Sequence, residues 1–310
     1  MEKPIDLALV GCGGISKAHV KGYQMLFEKG CRDFTVTACC DVDPEAAEER
    51  AEQIAVYQGA KPEVFTEIDA LVAAEVAQAA DVCVPHCFHH TVAIPLLAGG
   101  MHVMVEKPLG ITIRASKAII GAAQRHGRVL ATGENVRREL TARSCAWAMR
   151  EEKLIGDVRR VIVQSINHAP FDYSRPALKW RGLKMLTGGG MIMDSGAHFA
   201  DMIQVLLGEV DQVRCSMASY DSRMIEDAPV VGDAPANVED AWHADIDFQS
   251  GAQVNWTYSR SFFGEPVRQA VYYGSEGTMV DLGFPFHPFQ GGGRASLADG
   301  TKVSNEEIQE

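Results

Sequence analysis

The sequence contains no run of about 18 consecutive apolar residues, the length that a membrane-spanning helix needs. Residues 1–5 also lack the apolar core of a secretory signal peptide. These two absences predict a protein of the cytoplasm with no membrane partner.

Nothing in the chain resembles a disulfide framework, a repeat or a low-complexity linker. The eight cysteines, at positions 12, 31, 39, 40, 83, 87, 145 and 215, are scattered. In a cytosolic chain of this size we expect most of them to be small core residues. The loosest stretch is predicted at residues 291–300.

Basic residues are in deficit, with 29 Lys and Arg against 41 Asp and Glu and a formal net charge of −12. An acidic surface of this kind argues against nucleic acid and against an anionic membrane as partners. The remaining composition, 46% hydrophobic and 23% charged over 310 residues, is that of a globular protein of two domains.

A glycine-rich turn follows the first predicted strand, Ile5–Val10, and opens a helix. It reads Gly-Cys-Gly-Gly-Ile-Ser from Gly11 to Ser16, a G-x-G-x-x-G pattern with serine in the third position. Gly11 permits the tight turn, and Gly13 lets the backbone approach a pyrophosphate. Because a helix N-terminus offers free amide donors, we expect this turn, with Gly14 and Ile15, to bind a dinucleotide.

The second predicted strand, Phe34–Cys40, ends in Asp41. A carboxylate at this place can accept both ribose hydroxyls of an adenosine and would repel a 2′-phosphate. No arginine follows it immediately, so the sequence favours NAD over NADP. Asp43 is predicted to cap the next helix instead.

Strand-like and helical segments alternate through residue 132. Further strands are predicted at 81–84, 103–105 and 129–132, and helices at 45–55, 67–77, 89–99 and 112–126. This alternation predicts a doubly wound parallel α/β sheet, a Rossmann domain over residues 1–132.

A lysine follows the end of the strand predicted at 103–105. Glu106, Lys107 and Pro108 follow it, and proline ends a strand because it cannot donate to the sheet ladder. Ligands of open α/β sheets bind at the carboxyl ends of the strands. Lys107 is therefore a candidate to donate a proton or a hydrogen bond to a reacting oxygen, the alternative being an exposed lysine in a turn.

A group of metal-capable residues lies near Pro85, but we predict no metal site there. It comprises Cys83, His86, Cys87, His89 and His90. Cys83 is expected inside its strand, and the spacing fits no zinc pattern. The segment is better interpreted as a loop over the cofactor, with His89 beginning the next helix.

The pattern changes after residue 133 to a second domain, residues 133–310. Strand-like segments near 158–167, 210–218, 240–249, 252–260, 267–274 and 277–282 predict an α+β domain with a large, mostly antiparallel open sheet. Three glycines, 188–190, precede Asp194 and His198, which are four residues apart and would share one helix face. Asn135 and Arg137 are candidates to line a cleft, or are surface charges with Arg138 at a helix start.

Taken together, these motifs resemble the Gfo/Idh/MocA family of NAD(P)-dependent oxidoreductases, the glucose–fructose oxidoreductase and inositol dehydrogenase group. The resemblance rests on the Gly11–Ser16 loop, on Glu106-Lys107-Pro108 and on the glycine-led Asp194 and His198. Pro85 and His89 also match the family's layout, and coverage extends from residue 5 to about residue 282.

The resemblance implies hydride transfer between a nicotinamide and a hydroxyl-bearing carbon of a sugar, polyol or sugar derivative. Lys107 would stabilise the alkoxide beside the nicotinamide and His198 would accept the proton, while Asp194 would hold a neighbouring hydroxyl or orient the histidine. Lys107, Asn135, Arg137, Asp194 and His198 are thus candidates for substrate binding. The candidates for cofactor binding are Gly11, Gly13, Gly14, Ile15, Asp41, Pro85, His89, Glu106 and Lys107. The resemblance also implies a homodimer or homotetramer formed through the second sheet.

Two other functions fit the same motifs. One is an NAD-dependent glycoside hydrolase that oxidises its sugar transiently, and the other is a non-catalytic NAD-binding regulator, although regulators can dispense with the lysine and histidine present here. His168, Trp180 and Arg181 match no subfamily well enough to name a sugar. The family usually continues into a closing helix and a tail, so the chain is expected to be a shortened or truncated member.

Overall fold

The computed structural model describes residues 3–283 and 286–310. Met1 and Glu2, where the predicted first domain begins, lie outside the described residues. The chain divides into two compact units, Met1–Gly133 and Glu134–Glu310. Within the described residues, no helix is both long enough and apolar enough to cross a bilayer.

The first unit contains a six-stranded parallel sheet. Its strands are β1 (Ile5–Val10), β2 (Phe34–Cys40), β3 (Glu63–Phe65), β4 (Ala79–Val82), β5 (His102–Val105) and β6 (Leu130–Thr132). The order across the sheet is β3-β2-β1-β4-β5-β6, and all five pairings are parallel. The predicted Rossmann sheet is confirmed. The strand order reverses between β1 and β4, and ligands of such sheets bind outside the strand ends at that point.

Helices connect these strands: α1 (Ser16–Glu28), α2 (Pro44–Gln58), α3 (Ile68–Ala74), α4 (His89–Ala98) and α5 (Ile113–His126). Asp43 caps α2 as predicted, because its carboxylate accepts from the amides of Glu45 and Ala46. Apolar clusters lie on both faces of the sheet, and this explains why its strands read as continuous hydrophobic runs.

One strand of this unit is displaced by two residues from its predicted position. The segment predicted at 81–84 is β4, Ala79–Val82, so Cys83 follows the strand instead of lying inside it. Asp81, inside the strand, is 1% exposed. A buried carboxylate in a strand needs partners, and these are described below.

The second unit is built on an eight-stranded sheet. Its strands are β7 (Val158–Ile166), β8 (Val210–Ala218), β11 (Ala241–Phe248), β12 (Gln253–Ser259), β13 (Val267–Gly274), β14 (Gly277–Asp281), β15 (Gly293–Leu297) and β16 (Lys302–Val303), and a separate ribbon pairs β9 (Met224–Ala228) with β10 (Gly232–Pro235). The order is β16-β15-β14-β13-β7-β12-β11-β8, and every pairing except β7 with β12 is antiparallel. The predicted large, mostly antiparallel sheet is confirmed.

One face of this sheet carries the core of the second unit. The helices of the unit are α6 (Leu140–Arg150), α7 (Pro176–Lys179), α8 (Lys184–Thr187), α9 (Met191–Asp194), α10 (Gly196–Leu207) and α11 (Asn305–Gln309). Phe199 of α10 packs on Trp256 of the sheet, with ring centroids 4.6 Å apart. The opposite face bears polar residues such as Arg160 and Gln269, which bridge neighbouring strands.

Two predictions for this unit are wrong. Residues 291–300, predicted to be loose, contain β15, which pairs with β14. Asp194 and His198 do not share one continuous helix, because Ser195 separates α9 from α10. The break lies where Gly196 passes over Trp256: a Cβ on Gly196 would come within 2.9 Å of the indole ring.

Candidate active site

The glycine turn of the first unit has the form that a phosphate cradle requires. Gly11 has φ +88°, and a Cβ on it would lie 2.7 Å from the carbonyl carbon of Cys83. Gly13 and Gly14, in contrast, are exposed, and a Cβ on either would meet nothing within 4 Å. The space over the N-terminus of α1, edged by the exposed Ile15, is therefore open, and this is a place where helix amides could hold a pyrophosphate.

Asp41 closes the same turn from the end of β2. Its carboxylate accepts the Cys12 amide at 2.6 Å and the Asp43 amide at 2.9 Å, while the residue remains partly exposed. Arg50 is 1% exposed and donates to the Cys12 carbonyl at 3.2 Å. This arginine supports the turn from within the protein, so its guanidinium is not presented to a 2′-phosphate.

The Glu-Lys-Pro turn begins directly after β5. Lys107 is partly buried, and the Lys107–Pro108 peptide is cis. Glu106 accepts the Lys107 amide at 3.1 Å through one carboxylate oxygen. The lysine therefore stands on a backbone that the preceding side chain holds, at the carboxyl edge of the sheet.

His89 begins α4, as the sequence predicts. It is 0% exposed, and its ring nitrogens lie 2.8 Å from the Pro108 carbonyl and 3.0 Å from the Val84 carbonyl. Burial lowers the pKa of His89, against the opposing effect of those carbonyls. His89 thereby holds the Pro85 turn and the Glu-Lys-Pro turn together.

The structure brings together a different group of metal-capable residues from the group noted in the sequence. Among the described residues, the group of three that could surround an ion is His19, Asp81 and Cys83, whose ligand atoms lie within 4.8 Å of one another. Of the predicted group it keeps only Cys83. Burial raises the pKa of the Cys83 thiol to about 12.

In the second unit, the glycine-led segment approaches a loop carboxylate. Gly190 donates its amide to Glu239 at 2.6 Å, and a Cβ on Gly190 would lie 1.9 Å from the Glu239 carbonyl oxygen. Only glycine allows this approach, and the contact fixes the start of α9, which ends in Asp194.

His198 lies in the first turn of α10 and is 5% exposed. Its Nδ1 is 2.8 Å from both carboxylate oxygens of Glu134. A carboxylate on Nδ1 favours the tautomer with its hydrogen on Nδ1, and this leaves Nε2 as the basic nitrogen. The pair has the parts of a general base with its orienting group.

Two of the other predicted residues of this unit, Asp194 and Arg137, have protein partners. Asp194 forms an ion pair with Arg181, which also lies over the Trp180 ring. Arg137 donates to Asp201 of α10, with its Nε 2.5 Å from the carboxylate. Asn135 is exposed and precedes the short helical turn Val136–Arg138.

Sequence reasoning missed two residues beside His198. Glu134 comes two residues after β6, and this strand-end position could have indicated it. The ring of His287 lies 4.9 Å from that of His198, in a loop between β14 and β15, and no local pattern indicated it. Asp281 anchors this loop by accepting the amides of Gly283 at 2.7 Å and Phe289 at 3.0 Å.

Asp281 makes the stability of the protein depend on pH. Burial raises its pKa to about 7, against the opposing effect of the Gly283 and Phe289 amides, and one carboxylate oxygen has no hydrogen-bond partner in the described part of the chain. The folded state then holds an extra proton between about pH 4 and pH 7, so stability falls as the pH rises through that window.

We therefore expect the stability of the Asp281→Asn variant, relative to that of the parent, to increase as the pH rises. The difference in the free energy of unfolding should grow by about 2 kcal/mol between pH 5 and pH 8, measured by urea denaturation. Exposed Asp211→Asn is the control and should show no such trend. A constant difference for Asp281→Asn would contradict the assignment.

Sequence models of one oxidoreductase family match most of the chain. The Gfo/Idh/MocA oxidoreductase model, described as an NAD-binding Rossmann fold, matches residues 5–134. The C-terminal domain model of the same family matches residues 146–280.

Curated relatives include sugar-modifying enzymes. The chain is 28% identical over 218 residues to 1,5-anhydro-D-fructose reductase of Ensifer adhaerens, an alignment that covers 69% of this chain and 60% of the relative. It is 26% identical over 221 residues to levoglucosan dehydrogenase of Pseudarthrobacter phenanthrenivorans, covering 70% and 54%. The chain thus spans less than two thirds of these relatives.

A solved levoglucosan dehydrogenase, in complex with NADH and L-sorbose, has the same fold. Its TM-score is 0.79 at 23% identity, and the match covers 96% of this chain and 77% of that one. Both family models match in sequence order, one over most of the first structural unit and one over residues 146–280 of the second. The chain therefore belongs to the Gfo/Idh/MocA family of oxidoreductases.

Proposed function

We propose that this protein transfers a hydride between NAD and a hydroxyl-bearing carbon of a sugar, polyol or sugar derivative. The observation that carries the proposal is the buried His198 with its Nδ1 held by Glu134. A base oriented in this way suits removal of a hydroxyl proton, and NAD, when bound, supplies the hydride acceptor.

The first unit would hold the cofactor. Backbone amides of Gly13, Gly14 and Ile15 would bind the pyrophosphate, with Gly11 shaping the turn, and Asp41 would accept the ribose hydroxyls. The turns at Pro85 and at Glu106-Lys107 would border the nicotinamide. Because Arg50 is buried and Asp41 carries a negative charge, NAD is preferred to NADP.

The proton would be handled by two side chains. His198 takes it from the substrate hydroxyl, and Lys107 stabilises the developing alkoxide. Asp194, paired with Arg181, would fix a neighbouring hydroxyl. Asn135 and Arg137 are proposed to contact more distant parts of the substrate, with Arg137 oriented by Asp201.

The relatives support the substrate class. Two are named for activity on an anhydro sugar, and a solved relative holds NADH and L-sorbose. The chain covers only part of each curated relative. The activity must therefore be measured on this chain itself.

The experiment is a dehydrogenase screen with NAD and with NADP against sugars, anhydro sugars, inositols and sugar acids, followed at 340 nm. We expect NADH formation with at least one sugar or polyol and slower turnover with NADP. His198→Asn should abolish it. No turnover of any compound in either direction, or full activity of His198→Asn, would overturn the proposal.

Glu134→Gln tests the orienting carboxylate separately. The amide removes the negative charge that stabilises protonated His198 while keeping the shape, so we expect kcat to fall by about 10²-fold with little change in KM. The control is Glu151→Gln, at an exposed position beyond α6. An unchanged kcat in Glu134→Gln would show that the carboxylate has no part in proton transfer.

We also propose that the protein is a cytoplasmic homodimer or homotetramer formed through its eight-stranded sheet. The open face of that sheet is lined by side chains already paired across strands, among them Arg160 with Asn255 and Gln269 with Gln164. Light scattering should give two or four times the 33.7 kDa of one chain. A mass of one chain at micromolar concentration would contradict this.

A further inference from the structure

His19 of α1 lies between two carboxylates in the first unit. Its Nδ1 is 2.7 Å from Asp81 of β4, and its Nε2 is 2.9 Å from Glu106, the residue after β5. Tyr23, one turn further along α1, also donates to Asp81, and the Cys83 sulfur lies 3.5 Å from His19 Nδ1. These contacts join α1, β4 and the Glu-Lys-Pro turn.

The contacts determine the charge of the imidazole. Burial would lower the pKa of His19, but hydrogen bonds with Asp81, Cys83 and Glu106 and the charge of Asp81 outweigh it and raise the pKa to about 12. His19 is therefore an imidazolium that donates from both nitrogens, one hydrogen bond to each carboxylate. Its side chain is only 16% exposed, so water competes little for these bonds.

The hydrogen bonds form a path that leads from His19 through Glu106 to Lys107. One Glu106 oxygen accepts from His19, and the other accepts the Lys107 amide at 3.1 Å. A rotation of the Glu106 carboxylate would break both bonds together. The position of the lysine backbone is therefore coupled to a helix residue 88 positions earlier in the chain.

We propose that His19 is a positioning residue for Lys107, acting by fixing the Glu106 carboxylate that holds the lysine backbone. The inference rests on the proposed function, since it assigns Lys107 to the reacting oxygen. A group displaced by about 1 Å can lose about 10²-fold in rate, so a residue outside the chemistry can control kcat.

A metal ion is the competing occupant of the cluster. Two nitrogen or oxygen ligands of a tetrahedral zinc ion lie about 3.3 Å apart, given bond lengths near 2.0 Å. His19 Nδ1 and Asp81 are 2.7 Å apart, the distance of a charged hydrogen bond, and Tyr23 donates to the same carboxylate. The geometry favours a shared proton over an ion.

Two conservative variants separate the two bonds of His19. His19→Gln keeps a donor near the position of Nε2, facing Glu106, whereas His19→Asn keeps one near Nδ1, facing Asp81. We expect kcat to fall by about 10- to 10²-fold in His19→Asn and by only a few-fold in His19→Gln. The NADH dissociation constant should change less than threefold in both.

Tyr23→Phe is the matched control, because it removes a hydrogen bond to Asp81 and leaves the path to Lys107 intact. It should keep kcat within about twofold. A purely structural role of His19 would instead lower thermal stability in all three variants and not separate Gln from Asn in kcat. Unchanged kcat in His19→Asn, or equal losses in Asn and Gln, would overturn the proposal.

A double variant distinguishes this proposal from the proposed function. If His19 acts through Lys107, adding His19→Asn to Lys107→Met should cause no further loss of turnover. Full activity of Lys107→Met would overturn the proposed function itself. A severe loss in Lys107→Met with none in His19→Asn would overturn only the role of His19, as would His19-dependent binding of one zinc ion per chain.

Discussion

Replacing Lys107 by methionine is expected to lower kcat by about 10²- to 10⁴-fold, the range typical of a single proton-handling or alkoxide-stabilising group. Methionine keeps an unbranched side chain as far as Cε and removes the charge and the donors of lysine. Since the amide of residue 107 still bonds to Glu106, the turn itself should persist. NADH affinity, measured by fluorescence titration, should stay within a few-fold of the parent.

The control for this variant is Lys117→Met, which makes the same change at an exposed position of α5. It should leave kcat and KM unaltered. If Lys107→Met retained parental turnover, the assignment of the lysine to the reacting oxygen would be wrong. If it lost NADH binding together with turnover, the lysine would be a cofactor ligand first.

The second large effect is expected from Gly190→Ala. The added Cβ would lie 1.9 Å from the Glu239 carbonyl oxygen and within 3.3 Å of the Glu239 nitrogen. The two backbone segments must move apart, and the 2.6 Å hydrogen bond from the Gly190 amide to the Glu239 side chain would be strained. We expect a loss of about 3 kcal/mol in the free energy of unfolding, measured by urea denaturation.

Gly22→Ala is the control, because it makes the same substitution at a position with room for the methyl group. A Cβ on Gly22, inside α1, meets nothing within 4 Å, so alanine should stabilise the protein by up to about 1 kcal/mol. Because α9 and Asp194 follow Gly190, the Gly190→Ala protein should also lose activity. Parental stability of Gly190→Ala would show that the segment tolerates a side chain. The interpretation that only glycine allows the approach to Glu239 would then be wrong.

The alternating pattern of the first half predicted its sheet because buried parallel strands are continuous apolar runs between turn residues. Strands β1 and β2 lie at the predicted residues, Ile5–Val10 and Phe34–Cys40. Residues at the ends of such strands could be chosen as site candidates from the general rule for open sheets. This rule selected Asp41 and Lys107 as candidates.

Some strands that are short or that begin with glycine were not predicted. Glu63–Phe65 has three residues, too few for a period to show. Gly293 begins β15, where a Cβ would lie 2.8 Å from the Met279 sulfur and 3.0 Å from that of Cys145. A glycine placed for close packing is indistinguishable in sequence from a glycine placed in a loop.

The amino-acid pattern thus sufficed for the fold class, the family and the types of residue at the strand ends, because each depends on local periodicity and short motifs. Hydrogen-bond partners required the folded chain. His19 meets Glu106 across 87 positions, and Glu134 meets His198 across 64. Such bonds form or fail within a few tenths of an ångström, a distance that packing sets and no sequence spacing encodes.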